Sequence, residues 1–174
     1  MDAFDCLASK LDIREFDAKP VPHEVKSKVL EAARLTGSGS NTQHWRFILA
    51  QESETLSKLA KDSTTGKWVE NANFAVVVLT GTKYGFYLID AGRAVQNMQV
   101  AGWNYGVVSC VFTGMDQDAF RRDFEVPNDL NATITVGFGY PKKKLKGKKN
   151  RKPLNELVFL ERFGEKLDPN RPKA

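Results

Sequence analysis

The stretch that sets the architecture is FAVVVL, residues 74–79. It is a continuous apolar run rich in β-branched residues, which is typical of a strand buried on both faces. A strand of this kind needs a layer of structure on each side, because neither face can be left in water. The run therefore predicts a central strand within a layered fold.

The residues that follow this strand supply one covering layer. Over residues 86–105, apolar side chains recur at helical spacing, which predicts one long amphipathic helix. Strands are predicted next at 107–112 and 132–137, with a short helix at 116–124 between them. The apolar residues 157–160 predict a fifth strand near the end of the chain.

The residues before the central strand repeat the alternation of helix and strand. The predicted elements are helices at 2–11, 22–36 and 52–61, a strand at 47–50 and a turn of helix at 67–71. This alternation favours an α/β or an α+β fold built of stacked layers. With no repeat and no interdomain linker, residues 1–174 are expected to form a single domain that carries a lysine-rich loop at 142–152 and a C-terminal extension at 155–174.

Composition narrows the class of protein. A chain of 174 residues that is 41% hydrophobic can bury an ordinary core. No apolar run is long enough to span a bilayer and no signal-peptide pattern opens the chain, so a cytoplasmic protein is expected. Cys6 and Cys110 are isolated from each other and are expected to be reduced, buried thiols. His23 and His44 lack the spacing of metal ligands, so no metal site is expected.

The positive charge of the chain lies in one segment. The formal net charge is +5, and residues 142–152 contain eight lysines and arginines, without which the charge is −3. Such a run is typical of a solvated loop. Because no aromatic residues are interleaved with the lysines, nucleic-acid binding is not expected.

A polar loop, TGSGSNTQ at residues 36–43, joins a predicted helix to a predicted strand. Its glycines permit a close approach of backbone to a ligand. Asn41 and Gln43 each offer a donor and an acceptor, which suits the edge of a polar heterocycle. The same residues are also those of an ordinary turn, and both interpretations are open at this point. Trp45, at the start of the strand, is predicted to be a core residue.

Four segments in this order and spacing are specific. They are KLDIREF at 10–16, TGSGSNTQHWRF at 36–47, DAGRAVQNM at 90–98 continuing into GVVSC at 106–110, and KNRKPL at 149–154. Through them the chain resembles the FMN-dependent nitroreductase family over nearly its full length. The resemblance implies an α+β fold, a three-layer α-β-α sandwich with a mainly antiparallel sheet flanked by helices. It also implies a homodimer with FMN bound at the subunit interface.

The resemblance also implies a set of cofactor-binding residues. They are Lys10, Asp12, Arg14, Gly37, Ser38, Gly39, Asn41, Gln43, Thr113, Gly114, Lys149 and Arg151. Lys10, Lys149 and Arg151 are expected to bind the phosphate, because ionised donors make the stronger hydrogen bonds to it. Arg14 is expected near the N1–C2 carbonyl side of the flavin, and a backbone N–H near Gly114 is expected close to N5.

The chain departs from the family pattern at several positions. Lys10 replaces an arginine and Asp12 replaces a serine, while Gly37 and His44 replace prolines. The segment 80–89 is shorter than in many relatives, so the cover of the active site is expected to be reduced. For Asp12 the alternatives are a helix cap or an ion pair with the neighbouring arginine.

The activity implied is transfer of a hydride from NADH or NADPH through flavin N5 to a nitroaromatic- or quinone-like acceptor, by a ping-pong mechanism. No catalytic side chain is predicted, because the cofactor carries the chemistry. The alternatives are another FMN enzyme on the same scaffold (an enone reductase, a dehydrogenase or a dehalogenase) and a non-catalytic flavin- or anion-binding protein.

Overall fold

A four-stranded antiparallel sheet forms the middle layer in the computed structural model, which describes residues 1–166. The strands, in chain order, are β1 (Arg46–Ala50), β2 (Phe74–Thr80), β3 (Val108–Phe112) and β4 (Asn131–Gly139). Their order across the sheet is β1-β2-β4-β3, and each neighbouring pair is antiparallel. Every residue of β2 is buried, which confirms the central strand predicted from the apolar run.

Helices cover both faces of the sheet. They are α1 (Ala3–Ser9), α2 (His23–Arg34), α3 (Ser53–Asp62), α4 (Tyr87–Asn104), α5 (Gln117–Phe124) and α6 (Leu154–Leu157), with 3₁₀ turns at Gly39–Asn41 and Lys67–Asn71. Alternate side chains of β2 enter different cores, since strand residues point to opposite faces in turn. Phe74, Val76 and Val78 pack with residues of α2 and α4, whereas Ala75 and Val77 pack with residues of α3 and α5. The three-layer α-β-α sandwich is therefore confirmed.

The two helical layers differ in what they leave in contact with solvent. Large apolar side chains are exposed on the layer of α1, α2 and α4 and its caps: Phe4, Leu7, Leu35, Leu88, Ile89 and Tyr105. In the described residues, none is exposed on α3 or α5. The α4 layer is therefore the one with a surface suited to covering by another molecule.

Several residue-level predictions are confirmed. Cys6 and Cys110 are free and buried, and Trp45 is a core residue that is only 6% exposed. The predicted long helix is α4, and Gly106, with a φ of 75°, follows its end in the left-handed conformation that glycine tolerates. None of the helices between residues 1 and 166 is both long enough and apolar enough to cross a membrane.

The fifth strand predicted at 157–160 is wrong. Leu157 is the last residue of α6, and Phe159 makes one isolated bridge, to Lys166. A strand needs a neighbour to accept and donate its backbone hydrogen bonds, and residues 150–158 are exposed, away from the sheet. The rest of the predicted extension, 167–174, lies outside the described residues.

Candidate functional site

The segment after α1 lies along the free edge of β3. Ile13 donates its backbone N–H to the carbonyl of Ser109 at 2.9 Å, and Asp12 forms a parallel bridge to the same residue. Phe16 forms a second bridge, to Pro141. This pairing fixes the backbone of residues 10–16 and so sets where its charged side chains lie.

Asp12 forms its ion pair with Lys10. The Lys10 side chain is 8% exposed, and its Nζ lies 2.7 Å from Oδ1 of Asp12. Gln99 of α4 donates to the same oxygen at 3.0 Å and also to the Ser109 hydroxyl. The two roles expected for Asp12, a helix cap and a pair with Arg14, are therefore wrong. Asp12 instead compensates the charge of the buried Lys10 ammonium group, because a buried charge needs a partner of opposite sign.

Two cations of the lysine-rich loop lie beside this pair. Lys149 donates to the carbonyl of Leu7 at the end of α1. Partial burial lowers the pKa of Lys149, and the nearby charges of Lys10 and Arg151 lower it further, with Asp12 opposing them. Three cations thus share one small region with a single carboxylate, an arrangement that favours a bound anion. We call Lys10, Asp12, Arg14, Lys149 and Arg151 the cationic edge.

Arg14 lies further along the same edge. Its Nε is 3.4 Å from Sγ of Cys110, and its guanidinium lies 5.7 Å from the ring centroid of Trp68. The hydrogen bond with Cys110 is the main cause that raises the pKa of Arg14. Glu15, the next residue along the chain, pairs with Lys143 at 2.8 Å. Arg14 and Cys110 line a groove of ≈ 590 Å³.

The loop after β3 holds Thr113 and Gly114. The Gly114 carbonyl accepts a hydrogen bond from the N–H of Thr64 at 2.9 Å. A Cβ added at Gly114 would collide with the hydroxyls of Thr64 and Thr65. These two threonines are neighbours of the predicted site that the sequence reasoning missed. The available signal was their place in a short run of hydroxyl residues that ends at Gly66.

The loop at residues 36–44 contains three strained residues within four positions. Ser40, Asn41 and Gln43 have φ values of 49°, 53° and 46°, in the left-handed region. Each such residue costs on the order of 1 kcal/mol when it is not glycine. Within the loop, the hydroxyl of Ser38 accepts the N–H of Gln43 at 2.9 Å, and the Ser38 carbonyl accepts the N–H of Asn41 at 3.0 Å.

The two glycines of the 36–44 loop allow the loop to lie close to the N-terminal part of α4 and to Phe86, the residue just before that helix. A Cβ at Gly39 would lie 2.7 Å from the ring of Phe86. A Cβ at Gly37 would lie 2.9 Å from the guanidinium of Arg93. Aromatic ring atoms are less able to move aside than the end of an arginine, so Gly39 is the more demanding position of the two.

One buried carboxylate holds this loop to α4. Asp90 is 1% exposed, and its Oδ2 accepts the N–H of Gly39 at 3.0 Å. The same oxygen lies 3.2 Å from Nε2 of His44, and Arg93 is 3.5 Å from the other oxygen. No local pattern singled out Asp90 for this role, since its partners are 51 and 46 positions away.

The structure brings together only part of the predicted site. The cationic edge lies at β3, whereas the 36–44 loop leads into β1, at the opposite edge of the sheet. Three strand spacings separate these edges, a distance of about 14 Å. Lys10, Asp12, Arg14, Lys149 and Arg151 are gathered at β3, with Thr113 and Gly114 at the end of that strand; Gly37, Ser38, Gly39, Asn41 and Gln43 are not gathered with them.

The nitroreductase family model matches this chain over residues 7–80 and 64–140, which include the 36–44 loop and Lys10, Asp12 and Arg14 of the cationic edge. The chain belongs to the nitroreductase family. A protein of Methanothermobacter thermautotrophicus named as an NADH dehydrogenase/NAD(P)H nitroreductase is 28% identical over 150 residues, which are 81% of this chain and 78% of that one. A protein of the same name from Archaeoglobus fulgidus is 29% identical over 77% of this chain and 82% of its own length.

Solved structures of the nitroreductase family have the same fold. An FMN-dependent nitroreductase from Clostridium difficile superposes with a TM-score of 0.84 and 23% identity, covering 92% of this chain and 99% of that one. Another nitroreductase family protein of that organism gives a TM-score of 0.82 and 25% identity over 93% and 99% of the two chains. The layered arrangement is thus that of the family over nearly all of the chain.

Proposed function

We propose that this chain is an FMN-dependent NAD(P)H oxidoreductase that reduces a small nitroaromatic- or quinone-like acceptor. The observation that carries the proposal is the clustering of Lys10, Lys149 and Arg151 beside the groove that Arg14 lines. The family membership and the name of the FMN-dependent structural relative agree with it. The whole chain acts as one domain, with the lysine-rich loop as part of the phosphate site.

The cationic edge fits the phosphate of FMN. Without an anion, burial lowers the pKa of Lys149, and repulsion from the charges of Lys10 and Arg151 lowers it further. A phosphate removes this repulsion by giving each cation an opposite charge, and charge-assisted hydrogen bonds to phosphate are about twice as strong as neutral ones. Lys10 is already held in place by Asp12, so little side-chain freedom is lost when it binds.

Arg14 fits the electron-accepting ring. Its hydrogen bond to Cys110 and its contact with Trp68 hold the guanidinium beside the groove. A fixed positive charge there stabilises negative charge on the N1–C2 side of the flavin. The backbone around Thr113 and Gly114 is held by Thr64 and is available to hydrogen-bond the ring edge.

When bound, FMN would supply the redox chemistry for transfer of a hydride from NADH or NADPH to the acceptor in a ping-pong cycle. The residues of the chain bind the phosphate, orient the ring and stabilise charge. None of these tasks requires a side-chain acid or nucleophile.

We infer that the active form is a homodimer with each FMN at the subunit interface. The cationic edge and the 36–44 loop lie at opposite edges of one sheet, so a second copy is needed to bring a loop to each cationic edge. The exposed apolar residues of the α4 layer, such as Leu35, Leu88 and Ile89, suit such a contact. In addition, a groove of ≈ 430 Å³ lined largely by apolar residues of α1, α2 and α4 is open on this layer, and α6 exposes Leu154 and Leu157 away from the sheet.

The visible spectrum of the purified protein tests the cofactor. We expect flavin absorbance, or its appearance when FMN is added, and loss of that absorbance on anaerobic titration with NADH or NADPH. Lys149→Met should weaken FMN binding at least about tenfold, and the adjacent Lys148→Met, which removes the same formal charge, should change it little. Bound flavin that neither donor reduces would indicate a flavin-binding protein without this activity, and no binding at all would refute the proposal.

Sedimentation equilibrium tests the dimer. Ile89→Lys places a charge on the α4 layer and should produce monomers that lose FMN, while circular dichroism stays unchanged. Leu49→Lys, at an exposed position of β1, is the matched control and should remain dimeric. A wild-type protein that is monomeric with FMN bound would contradict the inference.

A further inference from the structure

We propose that Asp90 is a positioning residue for the 36–44 loop, and that it acts by fastening both ends of the strained stretch between Gly39 and His44 to α4. The inference rests on the proposed function for its consequence in FMN binding. The fastening itself is a property of the chain without a cofactor.

The strained stretch needs an external support. Ser40, Asn41 and Gln43 are in the left-handed region, and the hydrogen bonds of Ser38 to this stretch close the loop only upon itself. Closed in this way, the loop keeps its turns but has no fixed place relative to the layers of the fold. Residues in strained conformations persist only where the surroundings impose them.

Asp90 supplies that support at two points. One of its oxygens, Oδ2, accepts the N–H of Gly39 before the stretch and lies 3.2 Å from Nε2 of His44 after it. A carboxylate oxygen is only an acceptor, so this second contact places the proton of the imidazole on Nε2. The two ends of the stretch are thus fixed to one atom of a helix that is itself packed on the sheet.

The surroundings make these contacts firm. The side chain of Asp90 is 2% exposed and that of His44 is 8% exposed, so water competes little for either group. The ring of His44 is enclosed by Trp45, Tyr84 and Phe86, with centroids 5.6–6.0 Å away. Asp90 also lies in the first turn of α4, where the helix favours a negative charge.

The carboxylate, rather than a neutral amide, fits the whole arrangement. Both loop contacts are donors, and Arg93 is a third donor at 3.5 Å from the remaining oxygen. An amide in place of Asp90 would turn its NH₂ group toward one of these donors. Because Asp90 touches neither the cationic edge nor the groove of Arg14, its effect on a ligand comes through the loop alone.

Asp90→Ala and Asp90→Asn test the proposal with two readouts. The chain has only two histidines, and His23 is exposed, so the imidazole resonances can be assigned directly. In the free wild-type protein, the Nε2–H of His44 should be protected from solvent exchange, and Asp90→Ala should abolish that protection. The dissociation constant of FMN should rise about tenfold or more in Asp90→Ala and less in Asp90→Asn, because only the former removes both acceptor atoms.

Two further sets of variants separate positioning from folding. His44→Gln keeps a side-chain donor and should bind FMN within about threefold of the wild type, whereas His44→Leu should match Asp90→Ala. Asp62→Asn alters another buried carboxyl, 3% exposed on α3, and should leave FMN affinity unchanged.

The outcomes distinguish this inference from the proposed function. If the wild type binds no FMN but His44 loses its protection in Asp90→Ala, the proposed function fails while the fastening stands. If the wild type binds FMN and Asp90→Ala and His44→Leu bind it equally well, the positioning role is refuted. Should Asp90→Ala not fold, the His44 pair of variants decides the question.

Discussion

The cationic edge and the 36–44 loop bind the chain to its proposed cofactor by different means. The edge relies on side-chain charge carried by a backbone that is already paired with β3 through Ser109. The loop relies on backbone shape, with left-handed residues and a buried carboxylate, Asp90, to hold it. Charge acts over distance and tolerates small displacements, whereas backbone shape does not. The edge should therefore respond to changes of charge and salt, and the loop to changes of volume.

The largest effect is expected at the buried cation of the edge. Lys10→Met removes a charge that we propose binds the phosphate and leaves Asp12 uncompensated beside it, so FMN affinity should fall by about 100-fold or more. Fluorescence titration of FMN measures this. In the double variant Lys10→Met/Asp12→Asn, part of the loss should be recovered, because the repulsive carboxylate is gone. A double variant no better than Lys10→Met would show that Asp12 does not act through charge.

A smaller loss is expected when volume is added to the loop. In Gly39→Ala the new methyl group meets the ring of Phe86 at 2.7 Å, so either the loop or the ring must move, at a cost of about 1–3 kcal/mol. FMN affinity should fall about tenfold, with little dependence on salt. Phe86→Leu, which makes room, should restore part of it in the double variant.

Gly92→Ala is the control for this comparison, because a Cβ at Gly92 on α4 has nothing within 4 Å. It should leave the affinity unchanged and raise helix stability by up to about 1 kcal/mol. Equal losses in Gly39→Ala and Gly92→Ala would contradict the role given to the contact with Phe86.

The alkaline pH dependence of stability tests the lowered pKa of Lys149 in the cationic edge. The pKa of Lys149 is lowered in the folded chain, so the folded state releases that proton at lower pH than the unfolded state does. Between the lowered value and the usual lysine value of 10.5, the unfolded state binds more protons, and stability therefore rises with pH. Urea unfolding of the free protein at a series of pH values should show this gain in the wild type. Lys149→Met should lack it, and its presence there would assign the gain to another group.

The smallest effect is expected at the exposed pair of Glu15 and Lys143. Ion pairs in solvent contribute little, so Glu15→Gln should change FMN affinity less than about twofold. Glu15 lines the same groove as Arg14, so its substitution tests whether the effect of charge is confined to the cationic edge. A large change would mean that charge throughout the groove, and not only at the cationic edge, governs FMN binding.

Periodicity was enough to predict the elements that are buried in one chain. The apolar run of β2 and the helical spacing of α4 each describe a surface that must face a core, so both were found with nearly correct ends. The residues 157–160 carried a similar apolar signal, yet they form no strand of the sheet. Hydrophobicity indicates that such residues need a partner, but it does not say whether the partner lies in the same chain.

The candidate site was predictable where it depends on residue type and not where it depends on geometry. The family resemblance singled out Lys10, Lys149 and Arg151 as cations suited to a phosphate, but it did not show that they lie close together. Thr64 and Asp90 were missed because each acts through a contact with a residue some 50 positions away, Gly114 and Gly39 respectively. The left-handed conformations of Ser40 and Gln43 were also not predictable, since serine and glutamine seldom adopt that conformation.

The amino-acid sequence by itself determined the layered class of this protein, because that follows from the period of its apolar residues. Its family, and with it the kind of ligand, followed from the resemblance of four motif segments in order and spacing. Tertiary structure alone decided that Asp12 compensates Lys10, that Asp90 fastens a strained loop, and that the two parts of the site lie at opposite edges of the sheet. The physical reason is that such contacts arise only when residues far apart in the chain are packed against each other. Their energies depend on distance and burial, which no local stretch of sequence contains.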